Sequence, residues 1–133
     1  MSYTIKKFDN EPILMITIHE DYNVATDQVK SDADVRPYFE NTEEDLYHII
    51  NIIDLNISLD DIVQAANAGT RKEEALWKHP KHAMLILITQ NPLAKVAAKG
   101  LGSSVFGSVK VRTFNTTEEA LAWIREDIAE RVA

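Results

Sequence analysis

Four histidines, a serine at a strand-to-helix corner and a glycine-rich run are the residues with which this chain could do chemistry. His79 and His82 stand at an H-x-x-H spacing, but Pro80 lies between them at a helix-to-strand join. Without a helix the two rings do not share a face, and the sequence places no third ligand, so a polar turn is expected rather than a metal site. His48 lies within an apolar run between Tyr47 and Ile49. That setting suits a hydrogen-bonded sheet histidine better than a general base. His19 has no such context. Ser58 has no histidine or lysine placed by sequence to activate it as a nucleophile. The acidic groups Glu43-Glu44-Asp45 and Glu73-Glu74 fall in unpatterned stretches, with nothing to bring two carboxylates together for acid–base work. The run Gly100-Leu101-Gly102-Ser103-Ser104-Val105-Phe106-Gly107 closes a helix, whereas phosphate-cradling glycines follow a strand and open one. A helix terminus and connection is the expected role. The absence of cysteine excludes disulfides, thiol nucleophiles, cysteine-type zinc sites and iron–sulfur clusters. No cofactor and no catalytic activity are expected.

The elements that must position these residues follow from hydrophobic period and turn chemistry. Residues 3–8 and 13–19 read as strands joined by Asp9-Asn10-Glu11-Pro12, a turn that predicts an antiparallel hairpin. Residues 24–41 read as a helix with Val29 and Ala33 on one face, kinked or split at Pro37. Residues 46–54 (LYHIINIID) form a strand rich in β-branched side chains. Ser58 then caps a helix whose first turn carries Asp60 and Asp61, and which runs on through Ile62, Val63 and Ala66 to Trp77. Residues 82–89 (HAMLILIT) are almost unbroken apolar, as expected of an interior strand covered on both faces. Asn91-Pro92 opens the next helix, with Leu93, Val96 and the alanines on its buried side and Gly100 and Gly102 at its end. Residues 109–114 alternate, as on a half-exposed strand near an edge. Thr116-Thr117-Glu118-Glu119 is a capping box before a helix burying Ala120, Leu121, Trp123, Ile124 and Ile128. The order is strand, strand, helix, strand, helix, strand, helix, strand, helix. Helical crossovers make the last three strands parallel.

The chain has 133 residues, 45% of them apolar and 26% charged, which fits one globular domain over residues 1–133. No apolar leader follows the first lysines and no stretch reaches the length of a membrane span, so a cytoplasmic protein is expected. The net charge of −7 disfavours nucleic acid as a partner. Its distribution is uneven. Residues 1–66 hold 4 basic and 14 acidic side chains, whereas residues 75–117 hold six basic ones and no acid. Lys95 and Lys99, four apart, share one helix face in that stretch and are expected to attract an anionic partner. An anionic ligand, an acidic protein surface or the acidic half of a second copy would serve, as would plain solvation of the face.

With this order of elements, the chain resembles the SpoIIAA-like branch of the STAS superfamily over its whole length. The residues that carry the resemblance are Ile53-Asp54-Leu55 before Ser58, His79-Pro80-Lys81-His82 leading through MLILIT to Gln90-Asn91-Pro92-Leu93, and the closing stretch from Val111 to Ile124. The resemblance implies an α/β domain with a five-stranded mixed sheet packed with about four helices. It also implies a non-catalytic regulatory or protein-interaction module like the anti-sigma-factor antagonists, whose switch is a phosphorylated serine in a DSxG-like motif. Here the corner reads Asp54-Leu55-Asn56-Ile57-Ser58-Leu59-Asp60-Asp61, without glycine and with two acids beside the serine, where a phosphate would be repelled.

The expected interaction surface is this corner with the neighbouring turn, at the carboxyl ends of parallel strands. Its candidate residues are Asp54, Asn56, Ser58, Thr89, Asn91, Lys95 and Lys99. Asp54 is expected to accept a hydrogen bond from a corner amide. Partners would be a protein or a second copy of the chain. The alternative is a small-molecule or lipid-binding domain with a pocket between helices and sheet.

Overall fold

The computed structural model describes residues 2–70, 76–100 and 110–132. Five strands form one sheet in the order β1-β2-β3-β4-β5: β1 (Tyr3–Lys7), β2 (Ile13–Ile18), β3 (Leu46–Asn51), β4 (His82–Ile88) and β5 (Val111–Phe114). β1 and β2 pair antiparallel, with Tyr3 opposite Ile18, and the other three pairings are parallel. The hairpin turns through Asn10 at φ 60°, a left-handed conformation that asparagine tolerates. β4 lies between β3 and β5, as its unbroken apolar run predicts, and the alternating β5 is an edge.

Four helices connect and cover the sheet: α1 (Val24–Glu40), α2 (Leu59–Thr70), α3 (Pro92–Gly100) and α4 (Thr117–Val132). A 3-10 turn, Leu76–Lys78, precedes β4. Each parallel crossover advances one strand in the same direction. Right-handed connections then put α1, α2 and α3 on one face and leave the other to α4. Strand alternation divides the core accordingly. Leu14, Ile16 and Ile18 pack with Val35 and Phe39 of α1, whereas Ile13, Ile49, Ile86 and Ile88 pack with Ala120 and Ile124 of α4. Burying each such side chain contributes roughly 1.5–3 kcal/mol.

α4 is capped by Thr116, whose Oγ1 accepts from the Glu119 amide at 3.1 Å. Arg125 clamps Glu11 of the hairpin through two hydrogen bonds of 2.9 and 3.0 Å. Asp127 accepts from the Tyr47 hydroxyl, and Arg131 approaches Asp127 at 3.2 Å.

Three helix expectations need correction. α1 runs unbroken past Pro37, which forfeits one bond to the preceding turn while its own carbonyl still accepts from the Asn41 amide. Its buried face is Val24, Gln28, Ser31, Val35 and Phe39, while Val29 is 73% exposed. Along α3 the small residues Ala94 and Ala98 are buried, and Leu93 and Val96 point outward. The expected continuation of α2 from Thr70 to Trp77 passes through residues 71–75, outside the described residues, and Trp77 itself lies in the 3-10 turn. Residues 71–75, Val109 and the glycine-rich run after Gly100 lie outside the described residues.

Candidate functional site

Between the sheet and the three helices on one face lies a cavity of about 310 Å³. Its floor is the alternate residues of three parallel strands: Ile16 and Ile18 of β2, His48 and Ile50 of β3, and Leu85 and Leu87 of β4. α1 contributes Val24, Gln28, Ser31, Asp32 and Val35 to one wall. α2 contributes Leu59, Ile62 and Val63, and Leu55, Ile57 and Trp77 continue the lining from the connections. α3 contributes Ala94, Ala97 and Ala98. The space follows from these residue choices, since methyl side chains on α3 leave unfilled what leucines would occupy. Leu59 and Val63 line the cavity and are also 55% and 48% exposed, so the cavity meets solvent beside α2.

Few polar groups interrupt this lining, and most are already engaged. Gln28 Nε2 donates to the Ala65 carbonyl at 3.1 Å, tying α1 to α2. The Tyr22 and Ser31 hydroxyls lie 2.9 Å apart, and Ser31 Oγ also donates to the Gln28 carbonyl at 3.1 Å. Burial pushes the Asp32 carboxyl up to about 6, against the opposing field of Arg36. His48 Nδ1 lies 3.1 Å from Nε2 of His82, and Phe39 packs against both rings. His48 Nε2 is buried, with no hydrogen-bond partner among the described residues. Burial and the neighbouring His82 push the His48 pKa well below 6.5, and burial lowers that of His82 to about 4.

The seven surface candidates lie elsewhere, and none lines the cavity. Asp54, Asn56 and Ser58 are exposed after β3, and Thr89 and Asn91 follow β4; the two corners adjoin, with the Ile52 amide donating to the Ile88 carbonyl at 3.0 Å. The corner amide at Ile53 is bonded by Asn51 Oδ1 at 3.1 Å, the role expected of Asp54, because Asn51 is two residues upstream and suitably placed for an Asx turn. Ser58 Oγ accepts from the Asp61 amide and Asp61 Oδ2 from the Ser58 amide, each at 3.2 Å, a reciprocal cap on α2. Thr89 is buried, and its Oγ1 accepts from the Asn91 amide at 3.1 Å. Asn91 Oδ1 caps α3 by accepting from the Leu93 amide at 2.9 Å. Lys95 donates to Asn115 Oδ1, and Lys99 one turn later is exposed.

His79 forms a polar turn, its Nδ1 accepting from the Lys81 amide at 3.1 Å. Among the described residues no group of three or more His, Asp or Glu could hold a metal ion. None of their helices is long and apolar enough to cross a membrane. The His48–His82 pair escaped sequence reasoning because parallel register, not spacing, brings the rings together: Leu46 lies opposite His82 and His48 opposite Leu85. The cavity left one legible signal, the alanine run of α3 opposite apolar strands.

Among solved structures, the chain is similar to an uncharacterized protein of the DUF3478 family, with a SpoIIAA-like fold, from Shewanella loihica PV-4. The identity is 14%, the match covers 91% of this chain and 90% of that one, and the TM-score is 0.56. The fold is SpoIIAA-like. No family model matches the chain, and no curated protein does.

Proposed function

We propose that this SpoIIAA-like fold serves as a non-catalytic carrier or sensor of an apolar small molecule, bound between the sheet and α1–α3. The observation that carries the reading is the cavity of about 310 Å³ with its overwhelmingly apolar lining. Its size is at the low end for ligand pockets, which favours one aliphatic chain or a compact apolar body. Burying about eight methylenes contributes roughly 6 kcal/mol before the costs of association, enough for useful binding. Leu59 and Val63, at the solvent boundary, provide an apolar entrance.

Native mass spectrometry of the purified protein tests this reading. A retained small molecule that is released on unfolding and extracts into organic solvent is the expected result. A second reading, a protein-interaction module, draws on Leu93 and Val96 of α3, which are exposed outside the cavity. A protein that carries no small molecule and takes none up from a mixture of aliphatic compounds would favour that module.

A further inference from the structure

Among the described residues, four of the seven large apolar side chains left exposed lie on two neighbouring helices: Leu59 and Val63 on α2, Leu93 and Val96 on α3. Both helices return from the end of one parallel strand to the start of the next, so they run side by side in one direction. Leu59 and Val63 are four apart and line the cavity, and Leu93 stands four before Ala97, which lines it too. Helical spacing therefore puts Leu93 on the α2 side of α3, with Val96 beside it. Together the four make an apolar rim around the cavity mouth.

Charge divides between the same two helices. α2 carries Asp60 and Asp61 and no base, whereas α3 carries Lys95 and Lys99 and no acid. Asp61 accepts from the Ser58 amide and Lys95 donates to Asn115 Oδ1, while Asp60 and Lys99 are exposed. We propose that this face docks a second copy of the chain about a two-fold axis running along the helices, so that α2 of each copy lies on α3 of the other. That axis sets an acidic helix on a basic one twice, and apolar rim on apolar rim. An axis across the helices would stack α2 on α2 and α3 on α3, like charge on like. Local complementarity thus selects one arrangement, against a net charge of −7 that opposes close approach in general. The second copy also covers Leu59 and Val63, and so closes the cavity mouth. The docking stands on the exposed faces alone; the closure rests on the reading of the cavity as a ligand site.

Sedimentation equilibrium of the full chain tests the contact. The wild type should dimerise, with a dissociation constant that rises with salt. Lys95→Glu/Lys99→Glu should raise that constant about tenfold or more, and adding Asp60→Lys should recover part of the loss. Adding Glu130→Lys instead, the same change of charge on an exposed position of α4 across the sheet, should recover none. Val96→Asp, at a position 67% exposed, should be folded and monomeric. A wild type that stays monomeric at every concentration, or equal recovery by Asp60→Lys and Glu130→Lys, would overturn the proposal. Trp77 lines the cavity, and its fluorescence follows decanol as an aliphatic probe. Decanol should leave the wild-type dimer about tenfold more slowly than the Val96→Asp monomer. Equal rates would overturn the closure of the mouth. Failure of both proteins to take up decanol would overturn the reading of the cavity, with the dimer still decided by sedimentation.

Discussion

Two neighbouring imidazoles govern how the fold responds to acid. In the unfolded chain both protonate near 6.5, whereas in the fold His82 waits until about 4 and His48 is also held well below its ordinary value. The unfolded state therefore binds more protons between these limits, and stability falls as pH drops through that window. Asp32 acts in the opposite sense. Its folded pKa is raised from 3.8 to about 6, so the fold gains from it as pH falls through that range. Two imidazoles against one carboxyl leave a net loss in acid. The urea midpoint should decline steadily from pH 6.5 towards 4, and His82→Leu should flatten the decline; a midpoint constant over the window in the wild type contradicts this account. A second residue prediction concerns Ser58. As the cap of α2, Ser58→Ala should cost about 0.5–2 kcal/mol in urea denaturation, while Ser58→Asn, which also caps, should recover most of it. The cap was legible in sequence, since a hydroxyl before an acidic first turn is a local signal. The imidazole pair was not, because a contact between parallel strands has no fixed sequence spacing.

At the scale of elements, strands were read more faithfully than helix faces. β4 is interior because its apolar run needs cover on both sides, and that requirement is visible in HAMLILIT itself. α1 was harder, since its buried face mixes Val24, Val35 and Phe39 with Gln28 and Ser31, which blurs the apolar period. The polar pair is buried at no great cost because each finds a partner across or along the helix. Phe39 anchors this helix on the two rings, and Phe39→Ala should cost about 3–5 kcal/mol, measured as a shift in urea midpoint at constant m-value. On α3 the sequence pattern predicts Leu93 and Val96 buried with the alanines. The helix in fact turns its smallest side chains inward, and that choice leaves the cavity open. Ala98→Leu should fill the space and abolish uptake of an aliphatic ligand, with little loss of folding stability. Retained binding in this variant would locate the ligand elsewhere.

At the scale of the whole molecule, sequential strand order and right-handed crossovers put three helices on one face and one on the other. The crowded face is imperfectly filled, and the face beneath α4 is closed by Ala120, Ile124 and the isoleucines they cover. Sequence order and strand type made the mixed sheet legible. The pocket between helices and sheet was legible only as an alternative, because its size depends on how far three separate helices stand from the strands. The parallel strands supply their own control for the site, since Ile50 and Leu87 face the cavity while Ile49 and Ile86, their chain neighbours, face α4. Isotope-edited NMR with labelled methyl groups and unlabelled decanol reads this alternation directly. Ligand contacts to the Ile50 and Leu87 methyls, and none to Ile49 or Ile86, are the predicted result. Contacts confined to the exposed Leu93 and Val96, or no contacts at all, would contradict an apolar ligand site between the sheet and α1–α3.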